Sequence, residues 1–322
     1  MKKTMIVLFV GFMLILNGCA PTQPESEKIT VITSLFPQYD FVRQIAKDKV
    51  DVSLLLPAGV EPHSFEPTPQ TIVTIGDADI FIYTNAMMEP WIEKVIDNVI
   101  SDSLLIVESS LGIEYIEHAH EDEEHEDEHE DEEHEDEEHE DEEHGELDPH
   151  VWLDPLNAKV MAQNILSALI EVDPKNSDFY QTNANALFLQ LDELKAEYDT
   201  VFTDPTHKTI IYGGHFAFGY LADRYGLEIL SPYTGFSPNA EPTPQAIVEL
   251  ISRMTELNIK TIYYQELIDP KTARVIAEQT GAEMVLLHGA HNVTTEELQA
   301  GATYVSIMRE NAQKLMEGFK NE

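Results

Sequence analysis

The apolar positions of this chain follow two periods that alternate along it. "KITVITSLF" (28–36) and "VDVSLLL" (50–56) are β-rich runs, and "QYDFVRQIAK" (38–47) between them carries Phe41, Val42, Ile45 and Ala46 at helical spacing. "TPQTIVTIGDA" (68–78) predicts a short helix, "DIFIYT" (79–84) a strand, "PWIEKVIDNVI" (90–100) a helix and "SLLIVE" (103–108) a fourth strand. Such alternation predicts a parallel sheet covered by helices. After an interruption, "DPLNAKVMAQNILSALIEV" (154–172) resumes as a helix, with Asp154 as its cap and Pro155 at the first helical position.

The next stretch, 173–205, opens with the same Asp-Pro pair, and Ala184, Leu187, Leu191, Leu194, Tyr198 and Val201 recur at spacings of 3 and 4. That pattern predicts one helix of roughly 30 residues, about 45 Å long, a rigid strut between two domains. Beyond it, "KTIIYGG" (208–214), "LEIL" (227–230), "KTIYYQ" (260–265) and "AEMVLL" (282–287) are strand-like, with helices between. "EPTPQTIV" (66–73) returns as "EPTPQAIV" (241–248), one difference in eight, each opening a helix that leads to a strand. The expectation is an α/β protein of two similar (β/α) lobes with parallel four-stranded sheets, joined by one long rigid helix, with a binding cleft between them. The lobes are expected over 28–172 and 206–322, with 173–205 as the linking helix.

Charge sharpens this picture at the interruption. From His118 to His144 the chain is 19 Asp or Glu, seven His and one Ala. Such a block has no apolar face to offset ordering entropy, so 117–146 reads as a disordered surface loop. The formal net charge is −41, and about −22 remains without the run, so the body is itself acidic. A polyanion repels nucleic acid and attracts cations, and no nucleic-acid partner is expected.

The N-terminus accounts for the single cysteine. Met1-Lys2-Lys3 is basic, "MIVLFVGFMLIL" (5–16) is apolar but short for a membrane span, and "LNGC" places Cys19 after a small residue. Residues 1–18 read as a signal peptide and Cys19 as a lipid-modified start, followed by a polar tether over 19–27. The protein is then exported and lipid-anchored at the outer face of the cytoplasmic membrane, without disulfides.

Six histidines lie outside the run: His63, His150, His207, His215, His288 and His291. His63, His150, His215 and His291 follow strand ends or stand in Pro-fixed turns, and ligands of parallel sheets bind at the carboxyl ends of strands. Converging imidazoles without cysteine point to a transition metal, zinc first. His288 stands three residues before His291 as its alternative, Glu241 and Glu266 are alternatives or partners of ring N–H groups, and His207 reads as surface.

"LLLPAGVEPHSFEPTP", "DPHVWLDP" and "GGHFAFGYLADRYGL", with the tandem lobes and long helix, resemble the zinc- and manganese-specific solute-binding lipoproteins of bacterial ABC importers. The resemblance covers 28–318. It implies metal held between two lobes by His63, His150 and His215, with His at the third position in the zinc-type pattern where manganese-type members usually have Glu. Its fourth ligand is usually Asp, Glu or water, and here that place holds His291. Zinc-type members often carry a His/acid insertion before this "DPHxW", so His118, His120, His125, His129, His134, His139 and His144 are expected to bind zinc weakly and pass it inward.

The expected function is capture of extracellular Zn²⁺, as substrate, and delivery to an ABC permease with its ATPase by a monomeric receptor. A manganese receptor of the same family, and a metal-buffering or adhesin lipoprotein without a permease, are the alternatives. A zinc hydrolase is disfavoured because four protein ligands would leave no reactive water and no nucleophile elbow is present.

Overall fold

The computed structural model describes residues 28–60, 62, 65–101, 103–118, 146–203, 208–215, 217–233 and 241–320. The leader, Cys19, His63, His207 and the His/acid run from 119 to 145 lie outside the described residues.

The first lobe alternates as its apolar periods predict: β1 (Ile29–Thr33), α1 (Phe36–Ala46), β2 (Val50–Leu54), α2 (Pro69–Gly76), β3 (Ile80–Tyr83), α3 (Ile92–Asn98) and β4 (Leu105–Glu108). Its four strands are parallel in the order β2-β1-β3-β4, with Val31 opposite Val52 and Ile80. Two short strands, β5 (Glu117–His118) and β6 (Glu146–Leu147), form an antiparallel ribbon. The ends of the expected disordered segment are therefore paired backbone, a correction to the sequence reading: Glu117 stands opposite Leu147, and Asp148 N–H continues the pairing onto Ile116 O at 3.0 Å.

Helices α4 (Pro155–Val172) and α5 (Ser177–Val201) follow. Asp154 caps α4 by accepting from the N–H groups of Leu156 (2.7 Å) and Asn157 (3.1 Å), ahead of Pro155. The long helix has 25 residues, shorter than its apolar spacing suggests, because Pro174–Asn176 forms a separate 3₁₀ turn. It is no exposed strut either: Tyr180, Ala184, Leu187, Leu191, Leu194, Tyr198 and Val201 are all buried.

The second lobe comprises β7 (Thr209–Ile211), α6 (Gly219–Tyr225), β8 (Glu228–Leu230), α7 (Pro244–Leu257), β9 (Thr261–Tyr264), α8 (Lys271–Thr280), β10 (Glu283–Leu286), α9 (Thr295–Ala300) and α10 (Tyr304–Lys320). β7 pairs with β8 and β9 with β10, all parallel, and a single bridge from Tyr212 to Tyr263 joins the halves. The order β8-β7-β9-β10 repeats that of the first sheet, but the second sheet is stitched at its centre by this one bridge, where Gly213 N–H meets Tyr263 O at 2.7 Å. The duplicated octapeptide does the same work twice: Thr68 accepts from Thr71 N–H at 3.2 Å and Thr243 from Ala246 N–H at 3.1 Å, each just before a proline.

Strand side chains alternate between two faces. Val31, Ile80, Ile82, Ile210 and Tyr263 turn into one continuous apolar core with α1, α4, α5 and α10. Ile32 and Phe81 pack outward with Ile75, Ile92 and Val95, and Ile211 and Ile262 pack outward with Leu250, Met254 and Ile276. The two lobes thus share their central helical layer, and α5 is the spine of it.

Candidate metal centre

The three described site histidines stand at or near the carboxyl ends of strands and are buried, His150 to 1%, His215 to 3% and His291 to 4% relative exposure. His150 lies between the β6 strand and α4. The Asp148 carboxylate accepts both the backbone N–H of His150 and its ring Nδ1–H through the same oxygen, each at 2.8 Å. Both lobes hold this turn. Asn85 donates to Pro149 O at 3.3 Å, Tyr220 donates to Asp148 O at 3.0 Å, and the Trp152 indole, edge-on to the His150 ring, donates to Gly289 O at 2.7 Å.

His215 follows β7 through Gly213 and Gly214. A Cβ on Gly213 would fall 2.7 Å from Ala273 Cβ, so that position accepts no side chain, and one on Gly214 would fall 2.8 Å from Gln265 Oε1 and push that amide aside. Gln265 Oε1 takes the backbone N–H of His215 at 3.2 Å and its Nδ1 at 2.6 Å. A backbone N–H only donates, which fixes that amide atom as the oxygen and puts the ring proton on Nδ1. The rings of His150 and His215 face each other with centroids 5.5 Å apart.

His291 is served by the next residue along the same strand end. Its Nδ1 lies 3.3 Å from Glu266 Oε1, and Glu266 Oε2 accepts the N–H of Gly289 at 2.7 Å. The Gln265-Glu266 dipeptide that follows β9 therefore meets two histidines from two different loops, one by a hydrogen bond and one at ion-pair distance. In His150 and His215 an acceptor engages Nδ1, which makes Nε2 the nitrogen that presents a lone pair to an ion, while Nδ1 of His291 stands at ion-pair distance from Glu266.

His288 is engaged differently. Its Nδ1 lies 3.2 Å from Glu266 Oε1 and 2.9 Å from the Ala290 N–H, and its Nε2 lies 3.5 Å from Glu297 Oε1. Burial would lower its pKa, but the carboxylates of Glu266 and Glu297 outweigh burial and raise it to about 9. Burial likewise would raise Glu266, and His288 with His291 holds it well below the usual carboxylate range. Glu241 is exposed, and among the described residues no hydrogen bond or ion pair joins it to a histidine. Among the described residues no three His, Cys, Asp or Glu side chains gather into a complete ion cage. Asp148, Gln265 and Asn85 were not singled out by sequence. The Asp two residues before His150 in "DPH" was a usable signal, whereas Gln265 is 50 residues from the ring it orients.

Over residues 31–318 the chain matches the family described as ZnuA, zinc-uptake complex component A, periplasmic. The chain belongs to this family. ZnuA-family proteins are solute-binding components that work with ABC transporters, and they are not enzymes. The family description and its lipoprotein relatives set it among exported proteins. The high-affinity zinc uptake system protein ZnuA of Bacillus subtilis (strain 168) is 37% identical over 295 residues, 92% of this chain and 89% of that protein. The zinc-binding lipoprotein AdcA of Streptococcus pneumoniae (strain R6) is 31% identical over the whole of this chain, which spans 62% of AdcA. The crystal structure of the Zn(II)-bound ZnuA-like domain of S. pneumoniae AdcA superposes with a TM-score of 0.74 at 28% identity, covering 92% of this chain and 100% of that one. The expected fold of two lobes with parallel sheets is the one this ZnuA-family chain has.

Proposed function

We propose that this chain captures Zn²⁺ outside the cytoplasmic membrane and delivers it to an ABC permease with its ATPase. One observation carries the reading: the buried rings of His150 and His215 meet at 5.5 Å with Nδ1 of each tied back, in a chain of the zinc-uptake family. His150, His215 and His291 bind the ion through Nε2, and His63 supplies the fourth nitrogen. His288, tied to two carboxylates, stays a partner of Glu266 and not a ligand. Imidazole donors suit zinc over manganese, which prefers oxygen. Lipid on Cys19 tethers the receptor, a monomer, with lobes over 28–172 and 206–322 and the helical linker 173–205 between them. The His/acid run feeds the site at low affinity.

Competitive titration with Zn²⁺ and Mn²⁺ tests this on two soluble chains without residues 1–19, one with and one without 118–144. Each should hold one tight zinc that manganese does not displace, and His215→Ala should abolish it. Loss of tight binding on removal of the run would overturn the assignment to the folded histidines.

A further inference from the structure

The turn that follows β2 in the first lobe is fastened to the second lobe. Asn292, fully buried, donates one amide proton to Pro57 O at 2.9 Å and the other to Val60 O at 2.8 Å, across 235 and 232 residues of sequence. Its Oδ1 accepts the N–H of Val293 at 2.8 Å, and Val293 O in turn accepts the N–H of Gly59 at 2.9 Å. A fourth link lies alongside, from Phe36 N–H to His291 O at 3.0 Å. The match is chemically narrow. Two carbonyls converge on one terminal –NH₂, which a carboxylate cannot supply and a hydroxyl supplies once. Such a fully satisfied buried group is costly to break.

The position of this contact gives it a consequence for binding. Asn292 is the residue after His291, and Val60 stands three residues before His63. The fastening therefore joins the segment leading to one ligand to the residue beside another, from opposite lobes. We infer that Asn292 is a latch: it holds the His291 loop of the second lobe on the turn of the first lobe that carries Pro57, Gly59 and Val60, and so sets how long a bound ion is retained. The inference rests on the ligand set proposed above. A ligand held in place before the ion arrives needs no ordering on binding, so the latch raises affinity without touching the metal.

The test is zinc release from the full chain into excess chelator, followed by stopped flow, for wild type, Asn292→Asp, His291→Ala and the double variant. Asn292→Asp keeps the size of the side chain and the acceptor for Val293 but removes both donations. It should release zinc roughly 10–100-fold faster than wild type, the usual scale for residues that support metal ligands. In the His291→Ala background the same change should add nothing, because the latch acts through His291. Release at the wild-type rate, or an undiminished effect without His291, would overturn the latch alone. A wild-type chain without tight zinc, or a His291→Ala chain that holds zinc as firmly as wild type, would overturn the functional reading and the latch with it. Should Asn292→Asp fail to fold, hydrogen exchange of the wild-type Gly59 amide decides. Protection that deepens with zinc is expected, and an amide that exchanges freely with and without zinc overturns the latch.

Discussion

Each of the three buried site histidines has a side-chain oxygen beside Nδ1, hydrogen-bonded in His150 and His215 and at ion-pair distance in His291, and those oxygens differ in charge. Asp148 offers a full carboxylate to His150, Gln265 a neutral amide to His215, and Glu266 a carboxylate to His291. A carboxylate at Nδ1 makes Nε2 the more basic donor and fixes its tautomer. Asp148→Asn should therefore weaken zinc binding about 10–100-fold with the fold intact, measured by competition against a chelator of known affinity. Ligand nitrogens must be neutral, so zinc affinity should fall as pH drops from about 6.5 to about 5, and a flat profile would count against imidazole ligation. The histidines themselves were legible in sequence through their Pro and Gly neighbours. Gln265 and Asn292 were not, because a polar residue after a strand reads as ordinary loop until the fold brings its partner from 50 or 235 residues away.

At the level of elements, the strands were legible because both faces of each sheet are covered. Ile80 and Ile82 face one core while Phe81 faces another, so the run is apolar throughout and its ends are marked by turns. Where β3 ends, the buried Glu89 folds back on it, accepting the N–H groups of Thr84 and Asn85 at 3.1 and 3.2 Å and bonding the Ser34 hydroxyl. Burial outweighs these hydrogen bonds and raises its pKa from 4.5 to about 7. The folded state then holds a proton that the unfolded chain loses. This stabilisation is full below pH 4.5 and is lost as pH rises through about 7, a change on the order of 3 kcal/mol. Glu89→Gln should remove that slope: its gain over wild type in denaturant midpoint should be larger at pH 8 than at pH 5. Equal differences at both pH values would show that Glu89 is ionised throughout.

The whole molecule is governed by its shared helical layer. Lys159 reaches from α4 to Asp192 on α5 at 2.6 Å, Arg309 on α10 pairs with Glu197 at 2.8 Å, and the Tyr198 hydroxyl bonds Met308 O at 2.9 Å. Since one core runs from Val31 through Leu191 to Tyr263, the lobes should unfold together. Leu191→Ala should cost about 2–5 kcal/mol and shift a single calorimetric transition without splitting it. The periodicity of α5 announced a long helix but not its burial, which depends on α1, α4 and α10 arriving from both ends of the sequence.

The β5–β6 ribbon sets the two ends of the His/acid run side by side, on register positions that do not depend on what lies between them. Adding chain between ends that are already pinned costs little, about 0.6 kcal/mol for each doubling of length. A change in the number of repeat units between the two strands leaves the pairing that leads to Asp148 and His150 as it is. The number of histidines in the run can therefore change without remaking the fold around it.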